Sequence, residues 1–364
     1  MPTDGGRGAG PGPRPQGMRS EAHGGPGTGS GPRPHALRSS LVLTLTALIW
    51  GMAFVAQRVG MESIGPFLFM GVRMFLGALT LLVAFMVPGL VAALRSLWRT
   101  GRGEGSQASE TGRLGEHPAA PAADGLLPSK RLLLGGAVCG LVIFLAGSAQ
   151  QVGLVFTPAS KAGFLTALYI VLVPVLGIFL RHRPRWNTWL SVLVAAVGLY
   201  FLCMAGAASL QFGDMVVLVG AFFWACHILV VDHFVAGLGQ REVMGLCIVQ
   251  FAVAAALSLA TAPFLDASFV TGGFEPDALL AALPAVLYTG ILSTGVAFTL
   301  QAFGQQGLNP SAASLIMSLE AVFSVLGGAL LLGEVLTLRE LAGCAAMFAA
   351  VLLSQVPVGR RLEQ

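Results

Sequence analysis

The chain has 364 residues, of which 55% are apolar and only 10% charged, with a mean hydropathy of +0.78. A soluble domain carries roughly 25% charged residues, so this composition excludes an ordinary soluble domain and points to a polytopic membrane protein. The formal charge of +4 sits in loops and tails beside apolar runs, which fits membrane topology better than nucleic-acid binding.

Residues 1–38 are rich in Gly, Pro and Arg and hold no aromatic residue. That composition predicts a disordered tail. It is not a signal peptide, because the first apolar run starts only at Leu41 and no small-residue cleavage site follows it. Ten apolar segments follow, near 40–57, 66–87, 131–149, 160–180, 186–204, 214–232, 243–262, 278–300, 311–332 and 338–356. Most approach the ~17–25 residues that a spanning helix needs. Backbone polar groups in lipid must be paired within the segment, so these are expected to be helices. The runs are continuous rather than alternating, which argues against a β-barrel.

Residues 88–130 include "GRGEGSQASETGRLGEHPAAPAADG" and read as a low-complexity, disordered loop. Lys and Arg set the orientation. With the N-terminus inside, the tail, the long loop, "RHRPR" (181–185), Arg241 and the C-terminal stretch 357–364 carry the bases. Outside loops then hold only Arg58 and Arg339, so both termini are expected in the cytoplasm. The five cysteines each lie alone in an apolar run and read as packing residues, with no disulfide framework and no zinc site.

The chain repeats itself, with halves at 39–204 and 205–356. "TALIWGMAFVA" (46–56) matches "GAFFWACHILV" (220–230), which sets Trp50 opposite Trp224. "GVRMFLGAL" sets Arg73 opposite Gln250, and "QQVGLVFTPASKAGFLTALY" (150–169) matches "QQGLNPSAASLIMSLEA" (305–321). Five spans per half is an odd number, so the second half enters the membrane from the opposite side. The expected fold is an all-α membrane protein with ten transmembrane helices arranged as two inverted five-helix repeats, a construction in which secondary transporters place their substrate near the midplane.

Order and spacing of "ALIWGMAFVAQRVG", "VRMF", "TPASKAGFLTALYIVLVPVLGIFL", "GDMVVLVGAFFWACHILVVD" and "PSAASLIMSLEAVFSVLGGALLLGE" carry a resemblance. The chain resembles the EamA-like members of the drug/metabolite transporter superfamily over about residues 40–356. The resemblance implies a 5+5 inverted-repeat bundle in the inner membrane that moves small metabolites, amino acids or toxic compounds, most often outward. Two departures stand out. Ala321 follows "SLE" where the family often has Pro, and "LLLGE" occurs only in the second half.

No Gly-rich loop ending in Gly-Lys-Ser/Thr occurs, so no ATP drive is visible, and no hydrolase elbow or zinc motif is present. No cofactor and no metal are expected. Six residues are candidates for a cavity that binds a small-molecule substrate. Glu320 lies about ten residues into a 22-residue run, near the middle of a ~30 Å hydrocarbon core. A charge there costs at least ~2.5–3.5 kcal/mol, so it should face a cavity or a partner, or be neutral. It is the candidate for proton coupling; the bland alternative is a hydrogen bond to a neighbouring helix. Arg73 could bind an anionic group or be fixed in an ion pair, with Glu320 or a backbone carbonyl as partner. Lys161, near the outer end of the fourth span, either snorkels or guards a cavity mouth. His227 lies three residues after Trp224, so the two share a helical face, and it can titrate near neutral pH. Trp50 and Trp224 could line a central cavity from symmetry-related places. Asp214 reads as a helix cap, and Pro174 is expected to kink the fourth span in one half alone.

The expected function is a multi-pass inner-membrane secondary transporter, not an enzyme, exporting small organic solutes by alternating access. The rivals are an uncoupled channel or facilitator, and a non-transport membrane enzyme or scaffold. Substrate identity, coupling ion and oligomeric state stay open.

Overall fold

A computed structural model describes residues 34–101, 129–157, 159–182, 184–203, 211–269, 275–332 and 337–356. The expected tails, 1–33 and 357–364, and most of the long loop, 102–128, lie outside the described residues. All regular structure among the described residues is helical. The helices are α1 (Pro34–Met61), α2 (Pro66–Gly101), α3 (Lys130–Phe156), α4 (Ala159–Ala167), α5 (Tyr169–Phe179), α6 (Trp186–Cys203), α7 (Phe212–Val235) and α8 (Gln240–Leu265). Then follow α9 (Pro276–Leu287), an eleven-residue π-helix (Tyr288–Phe298), α10 (Thr299–Gln305), α11 (Pro310–Met317), α12 (Glu320–Leu332) and α13 (Leu338–Gln355).

Local chemistry explains where these helices start. Pro66, Pro276 and Pro310 open helices at the first turn, where a missing N–H is harmless. Asn309 Oδ1 accepts from Ala312 N (2.8 Å) to cap α11. Thr337 and Glu340 cap α13 reciprocally, Glu340 N donating to Thr337 Oγ1 (3.3 Å) and Thr337 N to Glu340 Oε2 (2.7 Å). The α2 start is capped from a distance: Phe67 N and Leu68 N donate to the two carboxylate oxygens of Asp266 at 2.9 and 2.7 Å. At its other end α2 continues past Val87 to Gly101, into the stretch read as loop. "LVAALRSLWR" is itself a run of good helix formers.

Among the described residues, seven helical stretches are long and apolar enough to cross a membrane: Ala36–Met61, Pro66–Val87, Lys130–Phe156, Lys161–Phe179, Phe212–Val235, Gln240–Ser268 and Pro276–Gln305. Trp186–Phe201 and Pro310–Leu326 are apolar but shorter. The outward faces carry large apolar side chains such as Phe75 (58% exposed), Leu193 (61%) and Leu352 (69%). Such a surface suits hydrocarbon, where polar groups must turn inward.

The most extensive packing joins α3 to α7 and α8, α2 to α8, and α6 to α13, while α1 runs along α12, the π-helix, α10 and α9. Close approach depends on small residues. At Gly51 of α1 a Cβ would lie 2.6 Å from the Glu320 carbonyl oxygen and 2.7 Å from Phe323 Cβ. Only glycine lets α1 pass α12 at that level.

The expected one-sided kink is corrected. Both matched spans are interrupted, the fourth at Leu168 between α4 and α5, and the ninth at Ser318–Leu319 between α11 and α12. The interruption does not sit at Pro174, which α5 carries inside itself. Ser314 in α11 and Ser318 just after it donate their hydroxyls to carbonyls three residues back, Ser311 O (2.9 Å) and Leu315 O (2.8 Å). This kind of local competition loosens a helical turn without any proline.

Candidate functional site

A cavity partly open to solvent lies among these helices; the atom-free space of about 490 Å³ there includes some of that open solvent. Helix α1 supplies Trp50, Phe54 and Gln57; α2 supplies Arg73; α3 supplies Gln150. Thr166 of α4 and Tyr169 of α5 flank one interruption, and Glu320 of α12 borders the other. Trp224 and Ile228 of α7, Ser293 and Phe298 of the π-helix, and Gln301 of α10 complete the wall.

Arg73 is 2% exposed. Its Nη1 donates to Gln57 Oε1 (3.0 Å) and its Nε to Met70 Sδ (3.3 Å). Gln57 Oε1 also accepts from Gln151 Nε2 (2.6 Å), and Gln57 Nε2 donates to Ala53 O (3.2 Å). The guanidinium is thus held by neutral groups. The ion pair with Glu320 that the sequence left open is not formed: among the described residues, Arg73 has no carboxylate partner.

Glu320, 4% exposed, is the first residue of α12, and its Oε1 accepts from the Tyr169 hydroxyl at 3.2 Å. Tyr169 is the first residue of α5. The two residues that open the distal helices of the interrupted spans therefore meet each other. The start of α12 also presents the positive end of the helix dipole to the Glu320 carboxyl group.

The aromatic wall is continuous. Phe298 lies between the two tryptophans, 4.7 Å from the Trp50 ring and 5.8 Å from the Trp224 ring, the latter stacked at 25°. Trp50 Nε1 donates to Ser293 O (3.0 Å), whereas the buried Nε1 of Trp224 has no hydrogen-bond partner among the described residues. The symmetry seen in sequence is thus not matched in bonding.

Two candidates sit elsewhere. His227 is fully buried behind the wall, hydrogen-bonded through Nε2 to Gln250 Oε1 (3.3 Å) and edge-on to Trp224 and Phe298. Lys161 neither snorkels nor borders the cavity. Its Nζ lies 2.6 Å from Asp214 Oδ2, in a buried ion pair that ties α4 to the start of α7. Asp214 also accepts from Thr157 Oγ1 (3.1 Å) and from Gln211 N (2.7 Å). It caps α7 from the third helical position, with Gln211 as the N-cap.

Sequence reasoning passed over Gln57, Gln301, Ser293, Phe54 and Phe298. The two glutamines did carry a signal, since each is an amide inside an apolar run. Phe298 carried none, as one phenylalanine among 22.

A buried polar cluster inside an apolar-faced helical bundle fits a membrane protein that handles a solute. The model of the EamA-like transporter family matches two consecutive stretches, residues 37–204 and 211–355. The chain belongs to the EamA-like transporter family. It is similar to an uncharacterized transporter of Archaeoglobus fulgidus, 28% identical over 322 residues, which are 88% of this chain and 86% of that protein. The uncharacterized transporter YoaV of Bacillus subtilis is 23% identical over 86% of this chain and 95% of its own. The uncharacterized inner membrane transporter YedA of Escherichia coli is 25% identical over 84% and 87%. A solved crystal structure of a protein shares the fold, with a TM-score of 0.62 and 19% identity over 90% of this chain and 99% of that one. As an EamA-like protein the chain is a multi-pass membrane transporter, and family and relatives point to transport rather than catalysis.

Proposed function

We propose that this EamA-like protein is a secondary transporter in the cell inner membrane that exports small organic solutes through the cavity around Glu320. Ten spans in two inverted five-helix halves, with both termini cytoplasmic, rock about that cavity. The single observation that carries this reading is the placement of the two helix interruptions. Leu168 and Ser318–Leu319 fall within about two residues of matched positions of the repeat, and the residues directly after them, Tyr169 and Glu320, are hydrogen-bonded in the cavity wall. Such interruptions give each half a place to bend where backbone groups can be re-paired at a cavity. The two consecutive family matches support the duplication, and the excess of bases in the regions read as cytoplasmic supports the orientation.

Glu320 is the proton-coupling group in this reading. It is the acid in the cavity wall, and one tyrosine hydroxyl is its hydrogen-bond partner among the described residues. The test is flux in proteoliposomes with labelled organic solutes. Saturable flux with trans-stimulated exchange is expected, and Glu320→Gln should flatten its dependence on pH while leaving exchange in place. Linear, non-saturating flux would mean a pore. A mutant that keeps the wild-type pH profile would remove Glu320 from coupling.

A further inference from the structure

We propose that the cavity takes a solute bearing a single carboxylate on an aromatic body, with the carboxylate seated on Arg73. This rests on the reading of the cavity as the transport site and names the class of solute it accepts.

Arg73 is the first reason. A guanidinium stays charged in a protein, and burying it beside neutral groups alone is unfavourable unless an anion arrives. Its partners, Gln57 and Met70, bring no charge. Its Nη2 makes no hydrogen bond among the described residues, and Arg73 lines the cavity. Gln151 holds Gln57, and Gln57 holds Nη1, so the guanidinium is fixed before any solute enters. Its Nη2 is left to donate a charge-assisted hydrogen bond to an entering carboxylate.

Glu320 limits the charge. It lines the same cavity with one oxygen bound to Tyr169. A second acidic group on the solute would find no second cation in the lining and would face this carboxyl group. A monoanion fits and a dianion does not. The wall sets the body: Trp50, Phe298 and Trp224 form a row of rings with Phe54 beside them. A flat aromatic group can stack there at little entropic cost.

The test is binding to the purified full-length protein in detergent, read by thermal shift and by tryptophan fluorescence. The probes are 3-phenylpropanoate, its amide, phenethylammonium and phenylmalonate. 3-Phenylpropanoate should stabilise the protein most. Arg73→Gln should weaken its binding about tenfold or more while weakening amide binding far less. Arg73→Lys, which keeps charge but loses the fork, should fall between, and it carries the test if Arg73→Gln does not fold. Equal binding of 3-phenylpropanoate to the folded Arg73 variants overturns the proposal, as does preference for phenethylammonium or phenylmalonate. If the ammonium or amide probe binds and Trp224→Ala abolishes that binding while the carboxylate fails, the cavity reading stands and the carboxylate assignment falls. If no probe binds, the carboxylate assignment falls, and the cavity reading is judged by flux.

Discussion

Glu320 shows how a single glycine can position an ionisable group. Its backbone carbonyl faces Gly51 of α1, where an added Cβ would come within 2.6 Å of that oxygen and 2.8 Å of Ser324 N. Both are backbone atoms, which cannot swing aside as a side-chain end would. Gly51→Val must therefore push α1 away from α12 and carry Glu320 with it. Overpacking of this kind costs about 1–3 kcal/mol, so a lower melting temperature and loss of solute flux are expected together. Gly163 of α4 makes the control, since a Cβ there meets nothing within 4 Å. Gly163→Ala should be neutral or stabilise by up to ~1 kcal/mol through helix propensity. If Gly51→Val melts and transports like the wild type, the α1–α12 contact does not hold the site.

At the scale of the element, α5 ends with a residue in an unfavourable backbone conformation. Arg181 has φ 63°, the left-handed region that usually takes glycine. His182 N and Arg181 N donate to Gly177 O (2.9 Å) and Ile178 O (3.0 Å), which closes the last turn. Arg181→Gly is expected to raise stability by about 1 kcal/mol, read as an upward shift in melting temperature. No shift would mean that the turn relaxes in solution. Helix existence was legible in the sequence because apolar runs are long and because Pro66, Asn309–Pro310 and Thr337 punctuate them. The interruptions at Leu168 and Ser318–Leu319 were not legible. "TALYI" and "SLEAV" hold neither glycine nor proline, and the one proline in the region, Pro174, lies inside α5. The π-helix left no readable mark either: it is defined by backbone bonds spanning five residues, and Thr294 Oγ1 reaching Thr289 O (2.8 Å) spans the same interval. Site residues followed the same division. Depth singled out Glu320 and Arg73, and repeat matching singled out Trp50 and Trp224, and all four line the cavity. His227 was singled out by sharing a face with Trp224 and by its titration range, and Lys161 by its place near a span end; helix rotation and packing turned them to Gln250 and Asp214 instead.

At the scale of the whole molecule, large apolar side chains cover the outer faces as well as fill the core, and buried polar groups either line the cavity, as Arg73, Gln57 and Glu320 do, or pair away from it, as Lys161 and Asp214 do. The two halves match in sequence but not in bonding. The first half contributes Arg73, Gln57, Gln151 and the Lys161 partner of Asp214, while the second contributes Glu320 and the π-helix. In the transport reading proposed above, this inequality would let one side of the cavity hold a solute while the other gates it. The central claim is that this cavity is the path and opens in turn to both faces of the membrane. Labelling tests it without knowledge of the solute. Ser293→Cys lines the cavity in place of a hydroxyl, in a background where the five native cysteines are replaced. A membrane-impermeant thiol reagent is then applied to sealed vesicles from one face at a time. Modification from either face is expected. Labelling from one face only, or from neither while the unfolded protein reacts fully, would contradict the claim.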